Sequence, residues 1–179
     1  MWRGRLGFAL LALLLAGCSL LPAAGSEEPV VVFAPDERVG APEIAGETIK
    51  GEPLALADFD GPVVLNFWAS WCGPCRTEAP HLNAVETAYA DRGVSVLGVN
   101  TKDPNLVNAR TFAQDNGLVF ESWYDPEQAI AAQFGASGPR GLPTTIVLDA
   151  QHRVAARYYG AITGATLGSR LDELLAEGA

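Results

Sequence analysis

The chain has 179 residues, 49% hydrophobic and 18% charged, enough for one domain with a sizeable core and some chain to spare. It carries 12 Lys+Arg against 21 Asp+Glu, a formal charge of −9, and the 21 acids all follow residue 18. That excess of acid argues against nucleic acid and against a polybasic membrane patch, since both need clustered bases. Three cysteines are too few for a disulfide-stapled miniprotein, and two histidines 71 positions apart make no zinc pattern with them, so no metal is expected.

Arg3 and Arg5 precede Leu6–Ala16, an uncharged apolar run. As a helix it would rise about 16 Å, roughly half of a hydrocarbon core. It is therefore read as the core of an export signal rather than a membrane span. Leu15-Ala16-Gly17-Cys18 then resembles the bacterial lipobox. The resemblance implies lipid on Cys18, cleavage before it, and a chain held outside the cytoplasm on a bacterial membrane. An ordinary signal with an incidental cysteine is the alternative. Two acyl chains on one residue make a stable anchor where one would be marginal. Residues 1–17 are thus read as signal peptide, 18–34 as lipidated cysteine and flexible tether, and 35–179 as the domain. Val30–Phe33 is apolar enough to dock on that domain, which would end the tether near residue 29.

Short apolar pieces around Gly46 and Gly51 predict a hairpin within 42–56. Pro62–Trp68 is β-branched and almost wholly apolar, as a strand covered on both faces should be. Residues 74–91 read as a helix with Leu82, Val85 and Tyr89 on one face, kinked at Pro80 and ended by Gly93. Val94–Val99 is a second buried strand. Asn105–Asn116 is a helix stopped at Gly117, Leu118–Trp123 a short strand, and Asp125 or Pro126 opens a helix to Phe134. Thr144–Leu148 and Arg153–Tyr159 are strands joined by a turn, and Thr163 caps a last amphipathic helix. The order β-α-β-α-β-α-β-β-α predicts an α/β fold, a mixed sheet with helices on both faces.

Trp71-Cys72-Gly73-Pro74-Cys75 falls where the buried strand gives way to a helix. A thiol there faces unpaired backbone N–H groups and the positive end of the helix dipole, which favours the thiolate of Cys72. Pro74 lacks an N–H and suits the first turn. Cys75, one turn on, is placed to attack a mixed disulfide at Cys72. Such a couple carries two electrons without a bound cofactor. Half a zinc site, a structural disulfide and buried bystander thiols are the competing readings. With Cys18 assigned to lipid, the remaining two cysteines make a pair.

Val64-Leu65-Asn66-Phe67-Trp68-Ala69-Ser70-Trp71-Cys72-Gly73-Pro74-Cys75-Arg76 resembles the thioredoxin superfamily signature, and Gly141-Leu142-Pro143-Thr144 resembles its cis-proline loop. The likeness covers roughly residues 36–177. An insertion between Val99 and Pro143, an extra N-terminal hairpin and Glu78 are similar to the TlpA/ResA branch. The resemblance implies a thioredoxin-like fold and an anchored, outward-facing reductase of protein disulfides, often those of apocytochrome c. It also implies a membrane thiol-electron donor of the CcdA/DsbD type; the protein itself is expected to be a monomer. Cys72 would attack, Cys75 resolve, and Glu78, near the sulfurs, pass protons. A half-buried carboxylate would have a raised pKa; a solvated helix Glu is the other reading. Leu142 and Pro143 would offer backbone to an extended substrate, beside Trp71, Gly73 and Pro74. Trp71 would also shield the thiol. Asn66 stands where thioredoxins keep a buried Asp; amide chemistry leaves it a hydrogen-bonded core group or marks a proton role moved elsewhere. Arg76 would support the thiolate or be solvated. Trp68 is assigned to the core, and Trp123-Tyr124 to a groove border or a packed loop edge.

Rival functions are a disulfide-forming oxidase, a thiol peroxidase, for which a separate peroxidatic cysteine is missing, and a binding or chaperone module with incidental thiols.

Overall fold

The computed structural model describes residues 30–178. The expected signal peptide, Cys18 and the tether before residue 30 lie outside the described residues. The centre of the fold is a strand, Val63–Trp68, buried along its whole length. It is the fourth in chain order, after β1 (Val30–Val32), β2 (Ala45–Glu47) and β3 (Pro53–Ala55), and is therefore β4. Val63, Leu65 and Phe67 face one apolar cluster and Val64 another, which is why the run is apolar except at Asn66. β4 pairs in parallel with β5 (Ser95–Thr101), and β5 in parallel with β6 (Ser122–Asp125). On its other side β4 pairs antiparallel with β7 (Thr144–Leu148). β8 (Val154–Tyr159) and β1 complete the order β1-β8-β7-β4-β5-β6.

Two helices cover one face. α1 (Gly73–Tyr89) and the C-terminal helix (Gly164–Glu177) meet through Leu82, Val85, Leu167 and Leu171. They approach closely at Gly168, whose carbonyl accepts the Tyr89 hydroxyl at 3.2 Å. On the same side α2 (Leu106–Asp115) stacks Phe112 on Trp68, centroids 4.8 Å apart. α3 (Ala129–Gln133) covers the other face with Ile130 and Ala131 against Leu65, Leu97 and Val99, which leaves the C-terminal helix as α4. The separate β2–β3 hairpin is pinned there by Trp123, whose indole N–H donates to the Leu54 carbonyl at 2.9 Å. The expected mixed sheet with helices on both faces is therefore present.

Several boundaries differ from the sequence reading. β1 pairs with β8 and Phe33 N–H donates to Ala155 O, so Val30–Phe33 docks on the domain as its apolar run suggested, and the boundary drawn at residue 34 falls inside the domain. α1 is one helix from Gly73 to Tyr89 with Pro80 inside it, and ends two residues before the Asp91 expected. The strand expected at 118–123 begins only at Ser122. Leu118 and Val119 are used to close α2: Leu118 N–H donates to Ala113 O and Val119 N–H to the Asn83 side chain. The helix expected from residue 125 shrinks to α3. Asp125 remains in β6 and its two carboxylate oxygens accept the Ile130 and Ala131 N–H groups, while Gln128 turns at φ +63°.

Arg38 is buried ahead of the hairpin. Its guanidinium donates to Asp149 Oδ2 at 3.3 Å and to both Glu177 carboxylate oxygens at 2.6 and 2.9 Å. A planar fork meeting a carboxylate in two places is the favoured geometry for such a pair.

Gly98, in the middle of β5, lets the sheet and the stacked Trp68 close together. A Cβ there would collide with Ser122 Oγ and lie 2.7 Å from Trp68 Nε1. Gly98→Ala is expected to destabilise by about 1–3 kcal/mol, as overpacking of a filled core does. Urea unfolding reads this directly, and an unchanged midpoint would show that Ser122 and Trp68 yield freely.

Candidate active site

β4 ends at Trp68 and the chain turns through Ala69–Trp71 into α1. Cys72 is the N-cap residue; its Sγ accepts the Cys75 N–H at 3.2 Å. Cys72 and Cys75 are joined as a disulfide with Cα atoms 5.3 Å apart, and both are buried. Gly73 and Pro74 begin the helix and are exposed. The Sγ of Cys72 therefore lies where the first-turn N–H groups converge, a setting that favours a thiolate once the bond is reduced.

The turn before Cys72 is held by the β5–α2 connection. Ser70 N–H donates to Asp103 Oδ2 at 2.7 Å, and the Trp71 indole N–H donates to the Lys102 carbonyl at 3.0 Å. The Tyr124 hydroxyl donates to the Asp103 carbonyl at 3.1 Å. Lys102 is in the left-handed region at φ +58°. Trp71 is 60% exposed, so most of its indole is surface. Arg76 is exposed and lies over the Phe112 ring at 5.2 Å. Trp123 is fully buried core rather than a groove border.

Leu142–Pro143 is a cis peptide at the start of β7. Leu142 is half-buried against the cluster that contains Cys72 and Cys75, and Pro143 is buried. The Pro143 carbonyl accepts Gly160 N–H at 2.9 Å.

The half-buried expectation understated one carboxylate of α1. Glu78, on the turn of α1 after Cys75, is 0% exposed. Its Oε1 accepts from Asn66 Nδ2 at 2.7 Å and its Oε2 from Ile162 N–H at 3.0 Å. Asn66 Nδ2 also donates to Thr145 Oγ1 at 3.1 Å. Burial pushes the Glu78 carboxyl up to about 7, while the bonds from Asn66 and Ile162 act the other way. Asn66 is thus a hydrogen-bonded core group, as one reading of the sequence had it, and its partner is Glu78.

The sequence reading missed this pairing, together with Thr145, Ile162, Lys102 and Asp103. A signal for the first was present. Cys75, Glu78, Leu82 and Val85 form a helical stripe, and Asn66 shares the Val64 and Trp68 side of β4. A carboxylate on that stripe has to meet whatever polar group the facing strand supplies.

Comparison with known proteins agrees with this geometry. Residues 39–157 match the model of the AhpC/TSA family. This chain belongs to that family. It is 33% identical over 135 residues to the thiol-disulfide oxidoreductase ResA of Geobacillus thermodenitrificans, covering 75% of each chain. A DsbF homologue from Corynebacterium diphtheriae superposes with a TM-score of 0.78 at 37% identity, covering 87% of this chain and 98% of that one. A secreted thiol-disulfide isomerase from Corynebacterium glutamicum superposes with a TM-score of 0.80 at 32% identity, covering 88% and 98%. Within the AhpC/TSA family this member is a ResA-like thiol-disulfide oxidoreductase, and Cys72–Cys75 is the disulfide it carries.

Proposed function

We propose that this oxidoreductase works outside the cytoplasm as a reductase of protein disulfides, anchored to a bacterial membrane by lipid on Cys18. The observation that carries the reading is the Cys72–Cys75 disulfide at the N-terminus of α1, with the buried carboxylate of Glu78 one turn further along the same helix. In the reduced protein the Cys72 thiolate attacks one sulfur of a substrate disulfide. A mixed disulfide forms and the other substrate sulfur leaves as a thiolate. Cys75 then gives up its proton and attacks Cys72 Sγ, which closes the intramolecular disulfide and releases the second substrate thiolate. Glu78 is the group that takes and returns the proton, and Asn66 and Ile162 N–H hold its two oxygens. Two electrons pass to the substrate through the sulfurs alone, so no cofactor or metal is required.

The substrate segment lies along the Leu142–Pro143 backbone, over Gly73 and Pro74 and beside the exposed Trp71. Apocytochrome c is the substrate class that the TlpA/ResA resemblance favours. A membrane thiol donor of the CcdA/DsbD type restores the dithiol, and the protein acts as a monomer.

The test is the reduction potential of the pair in protein lacking residues 1–18. About −270 mV, the range of thioredoxin, is the expected result. About −120 mV would overturn it in favour of a disulfide-forming oxidase. About −180 mV would instead support isomerisation, the activity for which the Corynebacterium glutamicum relative is named.

A further inference from the structure

Beside the redox pair the end of β5, α3 and the loop before Pro143 enclose a cleft of about 200 Å³. Thr101, Lys102, Gln128, Ala131, Gly141 and Leu142 are among its walls. Two of these walls adjoin the surroundings of the redox pair. The Lys102 carbonyl holds the Trp71 indole, and Leu142 packs on the Cys72–Cys75 cluster. A chain segment that follows the Leu142 backbone to present a sulfur to Cys72 therefore passes the mouth of the cleft.

The floor is polar where the core stops. Leu97, Val99 and Thr101 are alternate residues of β5 and share one side of the strand. Leu97 and Val99 pack against Ile130 and Ala131; Thr101 continues the row into the cleft. Thr101 is 1% exposed, and its buried Oγ1 has no hydrogen-bond partner among the described residues. A buried hydroxyl left in that state is unusual and points to a partner that arrives from outside. Lys102, next to it, is exposed. Among the described residues, those lining the cleft include this cation and no acid, in a chain with 21 Asp+Glu against 12 Lys+Arg.

We propose that this cleft is a substrate subsite for an acidic side chain carried near the reacting cysteine of the substrate protein. Its carboxylate accepts from the Thr101 hydroxyl and from the Lys102 ammonium, with Gln128, another lining residue, as a further donor. A charged acceptor is the partner that gains most from a buried hydroxyl and a nearby cation. The inference rests on the reading of protein disulfides as substrates and gives that reading a side-chain preference.

The experiment uses the reduced soluble protein and a set of peptides with one internal disulfide. The residues flanking the cysteine are Asp, Asn, Ala or Lys, on either side in turn. The quantity read is the ratio of kcat/KM between peptides within one protein, which cancels any loss of folded material in a variant. In the wild type, Asp at one flank is expected to be favoured over Ala by about tenfold, carried by KM. Adding salt should narrow that ratio. Thr101→Val, which keeps the shape and removes the hydroxyl, should cut the Asp-over-Ala ratio severalfold. Lys102→Glu should reverse the order of Asp and Lys peptides. Equal rates for all peptides, or an Asp preference that neither substitution moves, would overturn the subsite and leave the reductase intact. A preference for Asn equal to that for Asp would overturn the acidic class. Reduction of none of the peptides would overturn the reductase reading and the subsite together.

Discussion

Cys75→Ser will stop turnover and leave the protein covalently attached to its substrate. Cys72, at the N-cap of α1 with its sulfur on the Cys75 N–H, is the thiol whose ionised form the helix end favours. It retains that environment when Cys75 becomes Ser, because the N–H belongs to the backbone. The first exchange therefore proceeds, and the mixed disulfide accumulates since no second sulfur stands one turn away to displace the substrate. Cys72→Ser is expected to show neither turnover nor adduct. Mass spectrometry of non-reduced samples after incubation with a disulfide-bearing peptide separates the two variants. An adduct on Cys75 in the Cys72→Ser protein, with none on Cys72 in the Cys75→Ser protein, would reverse the order of attack. Closing so short a loop constrains the unfolded chain little, so stability should change far less than activity in either variant.

The second large effect is a pH dependence that disappears in Glu78→Gln. The folded protein holds the Glu78 carboxyl at about 7, up from 4.5, because burial outweighs the bonds from Asn66 and Ile162. Between those values the folded chain keeps a proton that the unfolded chain has released. The contribution to stability is therefore fully present below pH 4.5 and is lost as pH rises through about 7. A gap of about 2.5 pH units corresponds to on the order of 3 kcal/mol. Urea unfolding of the oxidised protein at pH 5 and pH 8 should show the wild type losing about that much more than Glu78→Gln. Subtracting the variant removes the contribution of other carboxyls such as Glu86, which burial also raises. Equal losses in the two proteins would sink the prediction. In turnover, the variant should lose its inflection near pH 7 and run about 10²-fold slower if Glu78 is the proton carrier.

What was legible beforehand was local. An apolar run into Trp-Cys-Gly-Pro-Cys states a buried strand, a turn and a helix start within fourteen consecutive residues, from Pro62 to Cys75. Thr163 as a cap and Gly117 as a stop are equally local: Thr163 Oγ1 accepts the Thr166 N–H, and Gly117 has φ +56°. The arrangements that escaped notice join elements distant in sequence. Asn66 and Glu78 are 12 residues apart, but Glu78 also needs Ile162, 84 residues away. No periodicity encodes which backbone N–H a buried carboxylate will find. The β6 boundary failed for a related reason. Leu118 and Val119 have strand-like side chains, yet their N–H groups serve the end of α2 and the Asn83 side chain. β-propensity describes a surface that fits, and here the backbone bonds were already committed elsewhere.

The Arg38 fork has a consequence for how the chain becomes a protein. It joins positions 139 residues apart, and β1 closes on β8 across a similar span. Until α4 has been made, Arg38 has no Glu177 to receive its charge, and β1 has no neighbour before β8 exists. A chain that emerges amino end first, through a ribosome or a membrane pore, thus carries its thiols in an unfinished fold for the whole stretch from Cys75 to Glu177. Contacts of such long sequence separation are also slow to form, because the loop entropy is spent before they contribute. The two cysteines are only three positions apart and can oxidise at any moment of that interval. The order of events in maturation is therefore set by this topology: the sulfur pair can close early, and the bond from Ile162 to Glu78 and the Arg38–Glu177 fork form last.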